Sequence, residues 1–358
     1  MSRLLIYGAN GYTGRLIARE AARRGLKPLL AGRNRDEVDA LAKELGLLRR
    51  VFELSHPAEI ARNLDGVNVV LHCAGPFSKT ASPMLDACLN VNAHYLDITG
   101  EIDVFEACHH SHIRAQHQGT VVLPGSGFDV VPTDCLAALL KRRLPDATSL
   151  VLAFEAGGGP SPGTAATSVE GLARGGRARI GGEIRSVPLA WKTRNFARDG
   201  KPRTTMTIPW GDVFTAHVST GIPNIETYMA VPPKTIQRLR WLRRIQPLLA
   251  LRPVQNFMKR RVLAATPGPS EQRRRDTGCH VWGEVRNAAG KQVGLELETP
   301  NGYDLTVTAS LGIAEYLLSR TSPPAGGYFT PSQLMGAEYV LKLPGVRLID
   351  PAAVAASA

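Results

Sequence analysis

Apolar positions fall first into short runs separated by amphipathic stretches. Leu4-Leu5-Ile6-Tyr7 is a run of strand length, and Arg15–Ala22 has the spacing of a helix. Pro28–Gly32 reads as a second strand. Glu37–Leu45 reads as a helix with Val38, Leu41, Ala42 and Leu45 on one face. The alternation continues with strand Arg50–Leu54, helix Pro57–Leu64 behind a Ser55 cap, strand Val67–Ala74 and helix Ser82–Val91. Strand His94–Ile98, helix Ile102–Gln118, strand Thr120–Pro124 and helix Pro132–Leu144 follow. The β-branched run within Val67–Ala74 marks a central parallel strand. Repeated β-α alternation predicts a doubly wound parallel sheet.

After Pro145 the texture changes. Ser149–Ala156 is strand-like, residues 157–163 are a Gly/Pro loop, and Thr164–Arg174 reads as a helix. From Gly182 to Val231 strand-like segments alternate with turns at Asp199-Gly200 and Pro209–Gly211. Val281–Arg286 and Gln292–Glu298 form a hairpin pattern around residues 287–290. Tyr303–Arg320 reads as a strand merging into a helix, Thr330–Leu343 as a helical tail, and Ala352–Ala358 as frayed. These patterns predict an α/β protein in three parts. Residues 1–148 form a dinucleotide-binding domain, 149–304 an α+β substrate or capping domain on a mostly antiparallel sheet, and 305–358 a segment returning to the first domain.

Candidate chemistry begins between the first strand and the first helix. Gly8, Gly11 and Gly14 stand at spacings of three. Strand, glycine turn and helix form the context of a dinucleotide loop, in which free N–H groups at the helix N-terminus receive a pyrophosphate. The bland alternative is a turn that needs only positive φ. A P-loop is excluded because Arg15-Leu16 follow Gly14, and no tyrosine has the lysine four residues on that short-chain dehydrogenases use. The second strand ends in Arg33-Asn34-Arg35 rather than in an acid, which favours NADP(H) over NAD(H). Asp36 and Glu37 fit the start of the next helix. The unusual clusters Gly8–Gly14, Arg33–Arg35, Cys73–Phe77, Thr99–Glu101 and Ser126–Asp129 all follow strands. Ligands of open parallel sheets bind at that end.

Composition narrows the class. Hydrophobic content of 44% and charged content of 21% describe an ordinary globular chain, and no run of apolar residues is long enough to span a bilayer. The chain starts almost directly in its first strand, leaving no room for a signal peptide. The five cysteines are scattered, with no C-x-x-C pair, as in reduced cytoplasmic proteins. Cys108-His109-His110-Ser111-His112 has no second cluster to complete a tetrahedral set, so no metal site is expected. The net charge of +12 is uneven: Lys234–Arg261 holds nine Lys or Arg and no acid. That stretch fits a lid touching anionic lipid or an acidic carrier protein, or a covering helix with a solvated cationic face. No nucleic-acid recognition motif accompanies it.

The motifs GANGYTG (8–14), AGR (31–33), CAGPF (73–77), YLDITGE (95–101) and GFDVVPTD (127–134), with a weaker LPGV (343–346), resemble the saccharopine dehydrogenase-like NADP-binding oxidoreductases. That group includes saccharopine reductases and trans-acting enoyl reductases. The resemblance covers about the first 140 residues. It implies a Rossmann domain, an α+β substrate domain and hydride transfer with NADP(H). Gly8, Asn10, Gly11, Tyr12, Thr13, Gly14 and Arg33 would hold the adenosine and phosphates. Ala74, Gly75, Pro76 and Phe77 would line the nicotinamide. Asn34 and Gly100 join the candidate cofactor set as loop neighbours. Relatives often carry Cys at the position of Ser126. Tyr95, Asp97, Glu101, Asp129 and Asp134 are proton-donor candidates, of which Glu101, Asp129 and Tyr95 are carried forward as catalytic; a cap or a packed tyrosine is the structural alternative for each. The leading expectation is reduction of a C=C or C=N bond in an apolar or acyl-type small molecule. Alternatives are a saccharopine-type amino-acid C–N oxidoreductase and a non-catalytic NADP(H)-binding regulator or membrane-associated adaptor. A homodimer is left open.

Overall fold

The computed structural model describes residues 3–249, 251–266, 268–320 and 325–351, so the expected fraying of Ala352–Ala358 lies outside the described residues. In chain order the first elements are β1 (Leu4–Tyr7), α1 (Tyr12–Arg23), β2 (Leu29–Gly32), α2 (Arg35–Leu45), β3 (Arg49–Val51), α3 (Pro57–Asn63), β4 (Val69–His72), α4 (Phe77–Asn90), β5 (His94–Asp97), α5 (Ile102–His110), α6 (His112–His117) and β6 (Val121–Leu123). Then come α7 (Val131–Arg143), β7 (Ala147–Ala156), α8 (Pro162–Arg174), β8 (Gly176–Ile180), β9 (Glu183–Val187), β10 (Thr193–Arg198), β11 (Lys201–Thr207), α9 (Asp212–Thr220) and β12 (Asn224–Ala230). The remainder is α10 (Pro233–Leu242), α11 (Gln246–Leu249), α12 (Arg252–Ala265), α13 (Glu271–Arg275), β13 (Cys279–Asn287), β14 (Gln292–Thr299), α14 (Gly302–Ser319), β15 (Gly327–Tyr328), α15 (Pro331–Met335) and β16 (Arg347–Ile349).

Two compact units result: Met1–Val131 with Tyr303–Gly336, and Pro132–Gly302 with Ala337–Ala358. The first is built on a seven-stranded sheet in the order β15-β6-β5-β4-β1-β2-β3. Every adjacent pair in it is parallel. Leu5, Ile6, Val69, Val70 and Leu71 on the central strands are fully buried, which explains why those strands read as unbroken apolar runs. The order reverses between β1 and β4, the switch point beside which open α/β sheets bind ligands. No helix of the described residues is long and apolar enough to cross a membrane.

The second unit carries the mixed nine-stranded sheet, with the path β10-β11-β12-β7-β13-β14-β16 and β8 and β9 branching from β12. Only β12–β7 is parallel; the other pairings are antiparallel. Its core includes Ala153, Tyr228 and Trp282, with Val151 and Phe196 packed alongside.

Several boundaries differ from the sequence pattern. The helix expected at Ser82 begins at Phe77 and contains Pro83; proline resembles a helix start, and only a tertiary contact described below discloses the extra turn. The helix expected over 102–118 breaks at Ser111. Asp212–Thr220 is helical inside a stretch read as strands. Tyr303 lies within helix from Gly302 onward, in which the β-branched Thr308 donates its hydroxyl to the Asp304 and Leu305 carbonyls, 3.2 and 3.1 Å away. The domain limits also move. The compact units divide after Val131, where the expectation was 148, and α7 lies in the second unit, where Gly283 makes room for it: a Cβ there would lie 2.6 Å from Leu140. The segment 305–358 divides. Its helix and β15 join the parallel unit, and β16 pairs with β14.

Candidate functional site

The turn after β1 is held by its neighbours. Gly8 and Ala9 donate N–H groups to the Ala31 carbonyl at 2.8 and 3.1 Å, and Gly11 donates to Gly8 at 3.0 Å. Gly8 has φ +79°, and a Cβ on it would lie 2.8 Å from Ala74. A Cβ on Gly14 would lie 2.2 Å from the Gly8 carbonyl oxygen, so only glycine lets α1 start this close to the strand. Gly11 caps α1 without any side-chain hydrogen bond, and the first turn, with Tyr12 and Thr13, carries no acid. A helix N-terminus with neither a capping side chain nor a carboxylate suits a phosphate. The Tyr12 ring meets Tyr303 edge-on at 5.0 Å, so α14 steadies the turn.

Beside it, at the end of β2, Arg33 and Arg35 are exposed and enter no ion pair among the described residues. The nearby acid is committed elsewhere. Glu37 accepts from Asn10 Nδ2 at 3.2 Å, Arg15 at 3.0 Å and Asn34 Nδ2 at 2.6 Å. Asn34 caps α2 by accepting the Glu37 N–H at 3.3 Å. Arg15 also donates to the Asn10 carbonyl at 2.8 Å. One exposed carboxylate thus ties the glycine turn to the β2–α2 loop, leaving the Arg33 guanidinium for another anion.

The loop after β4 contains Ala74, a cis Gly75-Pro76 bond, and Phe77, the first residue of α4. The Thr80 hydroxyl donates to the Ala74 carbonyl at 2.6 Å. Glu101 accepts the N–H groups of Phe77 at 2.9 Å and Ser78 at 3.1 Å. Its carboxylate therefore caps α4 from the β5–α5 loop, which is the contact that lengthens that helix. Beneath the loop, His72 is fully buried against Tyr7, Phe77 and Tyr95. Burial lowers its pKa to about 3, so it stays neutral.

At the ends of β5 and β6, Asp97 is the hub. It accepts from Tyr95 Oη at 2.7 Å, Thr99 N at 3.0 Å and Gly125 N at 2.9 Å. Burial raises its pKa to about 6 although these bonds favour the charged form. Tyr95 is fully buried, with its hydroxyl held well above the ordinary pKa by that burial. The buried Ser126 hydroxyl donates to the Asp97 carbonyl at 2.7 Å. Asp129 differs. It is partly exposed, and burial around its carboxyl raises the pKa to about 7. Gly100 makes room for it: a Cβ there would lie 2.9 Å from Asp129 Oδ2. The loop is anchored by Phe128 N–H donating to Thr306 Oγ1 at 2.9 Å.

The structure therefore gathers the candidates on one sheet rim but separates their roles. The α1 N-terminus carries no side-chain cap and no acid, and Arg33 enters no ion pair among the described residues. Among the three catalytic candidates, Tyr95 is hydrogen-bonded to Asp97 and Glu101 caps α4. Asn34 and Gly100 shape the loops. Glu37, Arg15 and Thr306 were not foreseen as parts of the site, whereas Asp97 was named as a proton-donor candidate. Only Glu37 had a readable signal, standing three residues after the cap Asn34. His112, from the His-rich stretch, accepts the Tyr328 N–H at 3.0 Å, which joins α6 to β15.

A parallel sheet with this switch point, a tight glycine turn and a basic β2 end defines a dinucleotide-binding protein. Residues 4–123 match the family model of the saccharopine dehydrogenase NADP binding domain. Residues 4–123 are thus similar to the NADP-binding domain of saccharopine dehydrogenases. A human saccharopine dehydrogenase-like oxidoreductase is 26% identical over 173 residues, covering 42% of this chain and 40% of that protein. A trans-acting enoyl reductase of Mycobacterium ulcerans (strain Agy99) is 30% identical over 151 residues, covering 39% of this chain and 35% of that protein. The chain thus spans less than half the length of these curated relatives. The saccharopine dehydrogenase (L-Glu forming) of Saccharomyces cerevisiae has a similar fold, with a TM-score of 0.63 over 98% of this chain and 100% of that one at 11% identity.

Proposed function

We propose that the protein is an NADP(H)-dependent reductase acting on a C=C or C=N bond of an apolar or acyl-type substrate. The observation that carries this reading is the uncommitted Arg33 guanidinium beside a glycine-formed helix N-terminus free of acids. Together they fit a ribose 2′-phosphate and a pyrophosphate. Gly8, Gly11, Tyr12, Thr13 and Gly14 would hold the phosphates and Arg33 the 2′-phosphate. The Ala74–Phe77 loop, pinned by Thr80 and Glu101, would flank the nicotinamide. NADPH, when bound, supplies the hydride.

A reduced double bond also takes up a proton. Asp129 suits its delivery, because it is partly exposed and a carboxyl with a pKa of about 7 is substantially protonated at neutral pH. The kinship with a protein named trans-acting enoyl reductase supports a polarised C=C bond as the acceptor.

The test is a fluorescence titration with NADPH and NADH, followed by NADPH oxidation with enoyl thioesters and imines. Tighter binding of NADPH and turnover of one acceptor class support the reading. Binding with no hydride transfer to any acceptor overturns catalysis, and failure of both nucleotides to bind overturns the whole reading.

A further inference from the structure

The basic stretch folds into α10, a short turn, α11 and α12, and this assembly has two unlike sides. Its inner side is fastened to the second unit. Ile236 and Leu249 are buried. Arg243 donates to the Leu189 and Ala190 carbonyls. Gln246 donates to the Ala173 carbonyl at 3.1 Å, and Gln255 to the Val169 carbonyl at 3.3 Å.

The outer side is different. Eight large hydrophobic residues are exposed among the described residues, and five of them lie here: Trp241, Leu248, Leu251, Phe257 and Leu263. Trp241 is 57% and Phe257 61% exposed. Soluble surfaces seldom concentrate apolar side chains in this way without a partner. Cations are interspersed among them. Lys234, Arg238, Arg244, Arg252 and Arg260 are exposed and enter no ion pair among the described residues. No acid occurs from residue 227 to 270, so nothing on this stretch repels an extended anionic surface. The Arg261 guanidinium lies 5.4 Å from the Phe257 ring centroid, a pair in which the apolar ring can enter an interface while the charge remains at its surface.

We propose that the α10–α12 face docks on an anionic lipid surface, lying in the headgroup region without spanning the bilayer. Aromatic and aliphatic side chains with interleaved Lys and Arg are what such an interface selects. This goes beyond the reductase reading and is independent of it, because lipid binding is read without cofactor or acceptor.

The experiment is flotation of the full chain with vesicles of phosphatidylcholine alone and of mixed phosphatidylcholine and phosphatidylglycerol. Cooperative thermal melting verifies that each variant is folded. Retention by the mixed vesicles only, weakened by salt, is expected. Tryptophan emission should shift to the blue on binding, and Trp241→Phe should lose the shift while still floating. Leu251→Ser with Phe257→Ser, and separately Arg244→Gln with Arg252→Gln and Arg260→Gln, should each weaken binding roughly tenfold or more. No retention by anionic vesicles, or retention that neither set of substitutions changes, overturns the proposal. So does capture by an acidic acyl carrier protein with none by vesicles.

Discussion

The two halves of the parallel sheet's rim use polar residues in opposite ways. At β1 and β2 the backbone makes the shape, through Gly8 and Gly14, and the one acid, Glu37, is absorbed by Asn10, Arg15 and Asn34. The helix N-terminus and Arg33 remain available. At β5 and β6 the carboxylates make the shape. Asp97 joins two loops, and Glu101 caps a helix from a third. Asp129 in this half is partly exposed, with its pKa raised to about 7 by burial of the carboxyl. A residue's type shows what it can do, whereas its partners show what it is free to do. Three acids named as proton-donor candidates differ once their surroundings are known.

The comparison is broken most forcefully at the glycine turn. Gly14→Ala places a methyl where 2.2 Å separates it from a carbonyl oxygen, so NADPH titration should show no binding. Retained affinity would mean that the turn is not a cofactor loop.

On the opposite half, Asp129→Asn should lower turnover roughly 100-fold if the carboxyl donates the proton. Wild-type turnover should decline as pH rises through about 7, and the variant should lack that decline. Stability has a matching sign. Asp129 has a folded pKa raised above the ordinary value of 3.8, so its contribution is complete below that value and is lost as pH rises to about 7. Thermal melting of Asp129→Asn against pH should be correspondingly flatter than wild type.

Returning to β2, Arg33→Asp should weaken NADPH by roughly 10- to 100-fold, the loss of a charge-assisted contact, and leave NADH little changed. Equal losses for both nucleotides would remove the 2′-phosphate from the interpretation. The smallest effect is expected at Glu101. Glu101→Ala leaves the Phe77 and Ser78 N–H groups without their cap and should cost about 1 kcal/mol of stability in denaturant melts. Its pH–rate profile should keep the wild-type shape; a lost limb would restore Glu101 as a proton donor.

Legibility followed the range of the interactions. The doubly wound sheet was readable because buried parallel strands and amphipathic helices repeat locally. The mixed sheet was readable in outline, but α9 was not. Asp212, Val213, Phe214, Thr215 and Ala216 are buried in succession there, so the helix shows no polar face from which a period could be read. The start of α4 was hidden because its cap, Glu101, is 24 residues away from Phe77. The exposure of Trp241, Leu248, Leu251, Phe257 and Leu263 was not legible, because a local pattern does not distinguish an inward apolar position from an outward one.

By itself the sequence determined the parallel sheet, the glycine turn, the basic end of β2 and the acid-free stretch, because each is written in contiguous residues whose physics is local. The tertiary structure decided which polar groups are already taken. It turned Tyr95 into a partner of Asp97, Glu101 into a helix cap and Glu37 into a clasp, and it left Arg33 without an ion pair among the described residues. Burial and hydrogen bonding between distant segments settle a side chain's charge and availability, and no local pattern encodes them.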